Sequence, residues 1–350
     1  MAARITHNLT VAEGDAGQRV DRYLAERLPE LSRTRIQELI EAGLVLVGGK
    51  ATKGARKLRG GEEIAIETRE RPPMLAEAET IPLEILYEDE DVMVVNKPSG
   101  MTVHAGAGNS RGTLVNALLG RGQALSAGGD ALRPGIVHRL DKETSGAILV
   151  AKNDFAHAKL AEAFQKRAVK KTYVALVEGK LKEAQGRIEL AIGRDMKRRT
   201  RMAVQRERAG SALRGNARAA RTDWRKLTEV DGTTLVEVQL HTGRTHQIRV
   251  HFSALKHPVV GDALYGASEE LPIGRVSGSV AKRGSVERKM PVLERNFLHA
   301  AKLAFAQPRN GEWIEVQAPL PDQLKTFLKM LASESGEDLA RIDAALAPYL

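Results

Sequence analysis

The sequence predicts an α+β protein of two domains, and three observations carry the prediction. The chain has 350 residues, more than one small core needs. Residues 17–70 compress two helical periodicities and a glycine-turned hairpin into one self-contained run, ahead of a proline-bearing linker over 71–82. From 83 to 335 amphipathic helical patterns mix with short apolar runs of strand length, and no internal repeat is present. A tail over 1–16 and a C-terminal helix over 336–350 complete the expected organisation.

Composition narrows the function classes. Apolar residues make up 42% and charged residues 28%, the balance of a soluble globular chain. With no cysteine, a disulfide framework, a thiol nucleophile and a Cys-ligated metal site are excluded. No apolar run approaches a membrane span, and the Met-Ala-Ala-Arg start lacks the apolar core of a signal peptide. A cytoplasmic protein with no membrane partner is expected. Aromatics are only 4%, too few for extended base-stacking platforms. The formal charge of +10 points to a polyanionic partner. Over 194–226, twelve Lys and Arg face Asp195, Glu207 and Asp223, a net of +9 in a single segment. Phosphate contact explains that concentration better than a merely solvated loop.

In the first domain, Val20, Tyr23, Leu24 and Leu28 mark one helix, and Ile36, Leu39 and Ile40 a second with Ser32 as its N-cap. Gly43 falls where a C-terminal cap belongs. Strands at Leu44–Val47 and Glu63–Ile66 flank the Gly48-Gly49-Lys50 and Gly60-Gly61 turns. The runs Arg19-Val-Asp-Arg-Tyr-Leu24, Ser32-Arg-Thr-Arg-Ile-Gln37 and Gly43-Leu-Val-Leu-Val47 make this module resemble an S4 RNA-binding domain. The resemblance implies RNA contacts at Arg33, Arg35, Lys50 and Lys53.

The second domain opens with Leu86-Tyr87, the acidic turn Glu88–Asp91 and a buried strand Val92–Val95. The glycines of His104–Gly112 invite a phosphate-loop reading, but no βαβ frame or later acidic partner supports dinucleotide binding. Helices are expected at Thr113–Leu119 and Phe155–Arg167, and strands at Val169–Val177, Thr234–Leu240 and Trp313–Val316. Two helices at Pro321–Leu331 and Leu339–Leu346 close the chain. Glycine-rich insertions interrupt it near 123–130 and 268–290.

The chemistry concentrates at Pro134–Gly146. Ile136 and Val137 lead into His138, Arg139 and Asp141, and Ala147–Ala151 returns the chain to an apolar run. A carboxylate at a core edge suits a nucleophile; a turn-capping Asp is the other reading. Tyr173, alternating with Thr172 and Val174 along its strand, is either a core residue or a cleft wall. His241, His246 and His251, spaced by five, invite a zinc site, yet a strand splits them between faces and no Asp or Cys completes a set. No metal is expected. Arg249, between Ile248 and Val250 on a strand, turns its guanidinium to the opposite face and needs a carboxylate partner.

His138-Arg-Leu-Asp-Lys-Glu-Thr-Ser-Gly146, Lys171-Thr-Tyr-Val-Ala175, Gly243-Arg-Thr-His-Gln-Ile-Arg-Val-His251 and Arg295-Asn-Phe-Leu-His-Ala300 together resemble the RluA-type pseudouridine synthases, in the order that family shows. The likeness covers about residues 18–335, and its details favour the branch acting on large-subunit rRNA. It implies a catalytic domain built on a large, mostly antiparallel mixed sheet with a central basic cleft. It also implies isomerisation of uridine to pseudouridine in folded RNA without cofactor or metal. A monomer is expected. Asp141 becomes the nucleophile or base, and Arg249 pairs with it to keep the carboxylate charged and oriented. Tyr173 stacks on the base and takes the C5 proton. Arg139 fills the space of the flipped base. His138, Lys197, Arg198, Arg199, Arg244 and His246 contact RNA. Two other classes are open: a binding-only ribosome assembly factor, and a glycoside hydrolase using Asp141 with Glu143 across one strand face.

Overall fold

The computed structural model describes residues 4–28, 33–69, 76–105, 110–122, 125–126, 133–195, 198, 201–205, 217–268 and 293–350. The chain divides into two compact units, 1–75 and 76–350.

In the first unit, helices α1 (Val20–Arg27) and α2 (Arg33–Glu41) pack on an antiparallel sheet. Its strands are β1 (Arg4–Thr10), β2 (Val45–Val47), β3 (Lys50–Ala51) and β4 (Glu63–Arg69), in the order β1-β4-β2-β3. Tyr23 and Leu24 from α1 meet Ile36 and Leu39 from α2 over Val45, Val47, Ile64 and Ile66. Residues 4–10 were expected in a tail. They form an edge strand instead, paired with the whole length of β4, and Leu9 packs against the core. The short polar-rich alternation Arg-Ile-Thr-His-Asn-Leu-Thr carries little apolar signal, because an edge strand needs only one buried face. Ser32, the expected N-cap, lies outside the described residues.

The second unit is built on a nine-stranded mixed sheet. Its strands are β5 (Glu84–Glu88), β6 (Val92–Lys97), β7 (Ser145–Ala151), β8 (Lys170–Glu178), β9 (Gln185–Glu189), β12 (Arg221–Val230), β13 (Thr233–Leu240), β14 (Leu298–Ala306) and β15 (Trp313–Gln317). The order is β5-β6-β7-β14-β8-β13-β12-β9, with β15 on β14. Every pairing is antiparallel except β7 with β14, joined in parallel at Ser145–His299 and Gly146–Ala300. Gly146 has φ +114°, and a Cβ there would lie 2.2 Å from the Ala300 carbonyl oxygen, so this junction admits only glycine. A separate hairpin, β10 (Ala191–Arg194) and β11 (Met202–Gln205), stands beside the sheet.

Both sheet faces are covered, which is why β6 and β7 read as unbroken apolar runs. Val95, Ile148 and Val150 face Leu114 and Leu118 of α3 (Leu114–Gly120). Val94, Leu149 and Ala151 face Leu160 of α4 (Asp154–Gln165). Helix α5 (Gln247–Ala254) adds Ile248 and Phe252 to the first core. Helices α6 (Asp322–Ser335) and α7 (Leu339–Leu346) cover the other half of the second face.

Four expectations change. Residues 76–82, read as linker, dock on α3: the Glu79 amide donates to Asn116 O at 2.9 Å, and Asn116 Nδ2 donates to Glu77 O at 2.7 Å. The C-terminal helix is no appendage, since Ile342, Leu346 and Tyr349 share one core with Leu324 and Leu328. The basic segment 194–226 is partly strand. Arg221, Arg225 and Lys226 are paired within or beside β12, with Asp223, Glu237 and Glu229. The unbalanced charge therefore sits upstream of Arg221. Finally, Arg249 lies on α5, not on a strand. The β-branched Ile248 and Val250 imitate a strand, but Ile248 and Phe252, four apart, enter the main core while Val250 meets Ile192 and Tyr265. Of the two insertions expected near 123–130 and 268–290, all but residues 125, 126 and 268 lie outside the described residues.

Candidate active site

Asp141 lies just ahead of β7, on a turn fastened from beneath by the segment after β6. Lys97, fully buried at the end of β6, donates from Nζ to Pro98 O and Met101 O at 2.8 Å and to Lys142 O at 3.1 Å. The Gly100 amide also donates to Lys142 O at 2.9 Å, and Ser99 Oγ donates to Glu143 O at 2.9 Å. Burial pushes the Lys97 ammonium down to about 7. The residues on both sides of Lys142 thus have little freedom, and Asp141 is presented to the cleft from a fixed turn.

Arg249 meets it there. Its Nη1 donates to Asp141 Oδ2 at 3.2 Å, while Nε and Nη2 donate to the two oxygens of Asp262 at 2.5 and 2.9 Å. This bidentate grip fixes the plane of the guanidinium and leaves one edge for Asp141. Burial opposes the charge on Arg249, but the Asp262 and Asp141 contacts outweigh it and hold the group above the ordinary arginine range. Asp262 follows Gly261, whose φ of +78° and close approach to Arg295 O forbid a side chain. The Tyr265 ring lies 4.9 Å beneath the Arg249 guanidinium and at the same distance from Arg201 of the hairpin loop. Neither Asp262 nor Tyr265 was expected from the sequence; the only signal was the turn-rich Gly261-Asp-Ala-Leu-Tyr-Gly266.

His246 is the residue before α5 and adopts the left-handed conformation, φ +57°. Its Nδ1 lies 2.7 Å from Tyr265 Oη, and its Nε2 is 3.9 Å from Asp141 Oδ1. Burial lowers its pKa, so the ring is neutral at physiological pH. Tyr265 Oη already accepts from the Met202 amide at 3.0 Å. The turn ahead of α5 is ordered by Gln247: its Oε1 accepts from Thr242 Oγ1 at 2.7 Å and Arg244 N at 3.1 Å, and its Nε2 donates to Arg221 O and Thr222 Oγ1.

Tyr173, on β8 and 7% exposed, forms the facing wall. Burial and the nearby Asp141 raise its pKa well above the usual phenol value, so it stays protonated. That weighs against Tyr173 as a base for the C5 proton and favours its role as a flat wall. Asp141, Tyr173, His246 and Arg249 line a cavity of about 470 Å³, together with Val137, Leu140, Phe164 and Leu298. The volume is of the order that holds one small ligand unit.

The other expected residues sort by position. Arg139 is exposed on the cavity lining, and no partner is bound to its guanidinium among the described residues. Arg244 also lines the cavity, and its Nε donates to Ala219 O at 3.3 Å. His138 does not offer a charge to phosphate: its ring stacks on Phe164 at 4.7 Å, its Nε2 accepts from the Leu149 amide at 2.8 Å, and burial pushes its pKa down to about 3. It is a structural pin. Arg198 is exposed between β10 and β11. Lys50 and Lys53 are exposed on the first unit. Lys197 and Arg199, and the side chains of Arg33 and Arg35, lie outside the described residues. Glu143 is not on the cavity lining, and its carboxylate accepts from Ser99 Oγ at 3.2 Å, which removes the basis for a hydrolytic carboxylate pair. The three histidines do not converge: His241 pairs with Asp223, and His251 bonds Thr222 and Leu190 O. No group of three potential metal ligands occurs among the described residues.

A carboxylate presented from a fixed turn, an arginine clamped on it and a phenol opposite, on a mixed sheet joined to a helix–helix–hairpin module, describe an RNA-modifying isomerase. The sequence profile of the RNA pseudouridylate synthase family matches residues 91–254, and that of the S4 domain residues 18–64. The chain belongs to the RNA pseudouridylate synthases. It is 41% identical to the ribosomal large subunit pseudouridine synthase D of Xanthomonas campestris, over 95% of each chain. It is 39% identical to the enzyme of that name from Yersinia pestis, over 98% of this chain and all of the other. An uncharacterized RNA pseudouridine synthase of Bacillus subtilis, YlyB, is 38% identical over 93% of this chain and 97% of its own. Among solved structures, human RNA pseudouridylate synthase domain containing 1 superposes with a TM-score of 0.50 at 30% identity, covering 77% of this chain and 96% of its own. Human domain containing 4 gives 0.52 at 25% identity, covering 71% and 92%.

Proposed function

We propose that this pseudouridine synthase acts on uridines of large-subunit rRNA, with Asp141 as the residue that starts the reaction. The Asp141–Arg249–Asp262 array carries the reading. In the isomerisation the N1–C1′ bond breaks and a C5–C1′ bond forms. The C5 hydrogen leaves and N1 gains a proton, so nothing enters or departs overall. Asp141 attacks or deprotonates the ribose, and Arg249 keeps its oxygens aimed. Tyr173 holds the uracil ring while it turns. The uridine must leave its stack to bring its ribose to Asp141 inside the cavity, and Arg139 on the lining occupies the vacated position. Arg198 and Arg244 grip phosphates in the catalytic unit, as Arg33, Arg35, Lys50 and Lys53 do in the S4 unit, with Lys197 and Arg199 adding charge at the hairpin loop. The branch of relatives named for the large ribosomal subunit supports the target. Such a substrate places the activity in the cytoplasm; the isomerisation balances with no cofactor, and a monomer is expected to carry it out.

The test is incubation of the purified chain with protein-free large-subunit rRNA, followed by mapping of pseudouridine. Wild type should convert discrete uridines; Asp141→Asn should convert none while binding RNA undiminished. Conversion by the Asn variant would remove Asp141 from its role. RNA binding by wild type without any isomerised uridine would favour an assembly factor.

A further inference from the structure

One cation on the cavity lining is left unused by the chemistry at Asp141. Lys171 precedes Tyr173 by two residues on β8, so both side chains leave the same face of the strand, one pleat apart. Among the described residues its ammonium has no hydrogen-bond or ion-pair partner. It stands 5.7 Å from the Phe164 ring centroid, and burial lowers its pKa to about 8. Opposite lies Gly243. A Cβ built there would be 3.7 Å from Lys171 Nζ with no other atom within 4 Å, so the glycine leaves open space above the ammonium.

Two arginines share this end of the lining. Arg244 follows Gly243, and Arg167 follows α4. Arg167 holds φ +60°, a conformation that glycine ordinarily supplies at a helix end. That position sets where the Arg167 side chain leaves the end of α4. Burial lowers the Arg244 pKa, and the fields of Arg218 and Arg167 lower it further. Among the described residues no carboxylate pairs with Arg167 or Lys171. Lys171 and Arg244 are half-buried and Arg167 is exposed at the rim, and half-buried cations without a counter-ion cost free energy that a bound anion recovers.

We propose that Lys171, with Arg167 and Arg244 at the rim, seats one backbone phosphate of the RNA, the phosphodiester attached to the nucleotide whose base lies on Tyr173. This rests on the reading of Tyr173 as the wall for the target base. It gives Lys171 a task distinct from catalysis: the same strand face receives base and phosphate of one nucleotide, which fixes the depth at which the ribose meets Asp141.

The test uses the full-length chain in an Asp141→Asn background, so that binding is read without turnover. Affinity for a large-subunit rRNA transcript is followed across a salt series for the parent, Lys171→Met, Lys171→Arg and Arg167→Ala. Losing one phosphate contact should lower the magnitude of the slope of log K against log salt by about 0.7–0.9. Lys171→Met should lose that much slope and about tenfold in affinity, with Lys171→Arg keeping the slope. Arg167→Ala, on an exposed side chain where folding is not at stake, should also reduce the slope. An unchanged slope in Lys171→Met overturns the seat even if conversion by the single variant falls, because Lys171 would then act on the base or the fold. An unchanged slope in Arg167→Ala overturns the shared seat should the Met variant fail to fold. A wild-type chain that converts no large-subunit uridine while these slope changes persist would defeat the target reading and leave the seat standing.

Discussion

At the residue scale, Asp141 is held by Arg249, and Arg249 by the two oxygens of Asp262. Asp141, Arg249, Tyr173 and Arg139 were legible because each belongs to a run whose motif the family shares. Asp262, Tyr265 and Lys97 were not, because their roles depend on how the chain folds back: Lys97 reaches Lys142 O across 45 positions, and Asp262 reaches Arg249 across 13 through a glycine turn that carries no periodic pattern. Asp262 yields a sharp expectation. Asp262→Ala leaves Arg249 with a single anionic partner in a buried site, where breaking a pair costs about 3–5 kcal/mol. The denaturation midpoint should fall, and single-turnover conversion should drop on the order of a hundredfold as Arg249 swings from its aim. Asp262→Asn keeps the shape and should recover part of the stability but little of the rate. If both variants convert at the wild-type rate, the clamp is not needed.

At the element scale, helices with strong 3.6-residue periodicity were placed well, whereas α5 was read as a strand. Its β-branched residues favour a strand locally, and the packing of Ile248 and Phe252 decides otherwise. The difference matters for function, because a helix turns successive residues by about 100° and so sends Arg249 toward Asp141 while Ile248 and Val250 enter two different cores. Strand β1 escaped notice for the opposite reason, having too little apolar character to register. Deleting residues 4–10 should uncover the edge of β4 and lower the melting temperature of the first unit without altering the second. Gly146→Ala should be far more damaging. It forces an unfavourable φ and drives a methyl onto the Ala300 carbonyl, so a loss on the order of 3 kcal/mol or more is expected in urea denaturation.

At the scale of the whole molecule, buried lysines set a pH dependence. Lys97 and Lys171 have folded pKa values of about 7 and about 8, against an ordinary 10.5. Between those values the unfolded chain carries protons that the folded chain has released. Unfolding then takes up protons, and stability rises with pH over roughly 7 to 10. Below pH 7 both states are protonated, and the contribution is lost. Melting temperature at fixed salt should therefore climb from pH 7 to 9.5, and Lys97→Met should flatten part of the climb. A wild-type curve that falls over this interval would show that the ammonium groups are not desolvated as the structure has them. The balance of charge was also only partly visible from sequence. The +9 segment is real in composition, but Arg221, Arg225 and Lys226 are spent on neighbouring carboxylates, a pairing that only the β12–β13 register and adjacent loops create.

The strand order has a consequence for the timing of synthesis. β7 and β8 are consecutive in the sheet-forming part of the chain, yet β14, which begins at Leu298, lies between them. A nascent polypeptide can make the Asp141 turn and the Tyr173 strand early, but it cannot set their separation until a segment about 125 residues further along has emerged and inserted. Chains stalled on the ribosome before that point therefore display an acid and a phenol with no cavity between them. Competence therefore arrives late in synthesis, once β14 has emerged and inserted between β7 and β8.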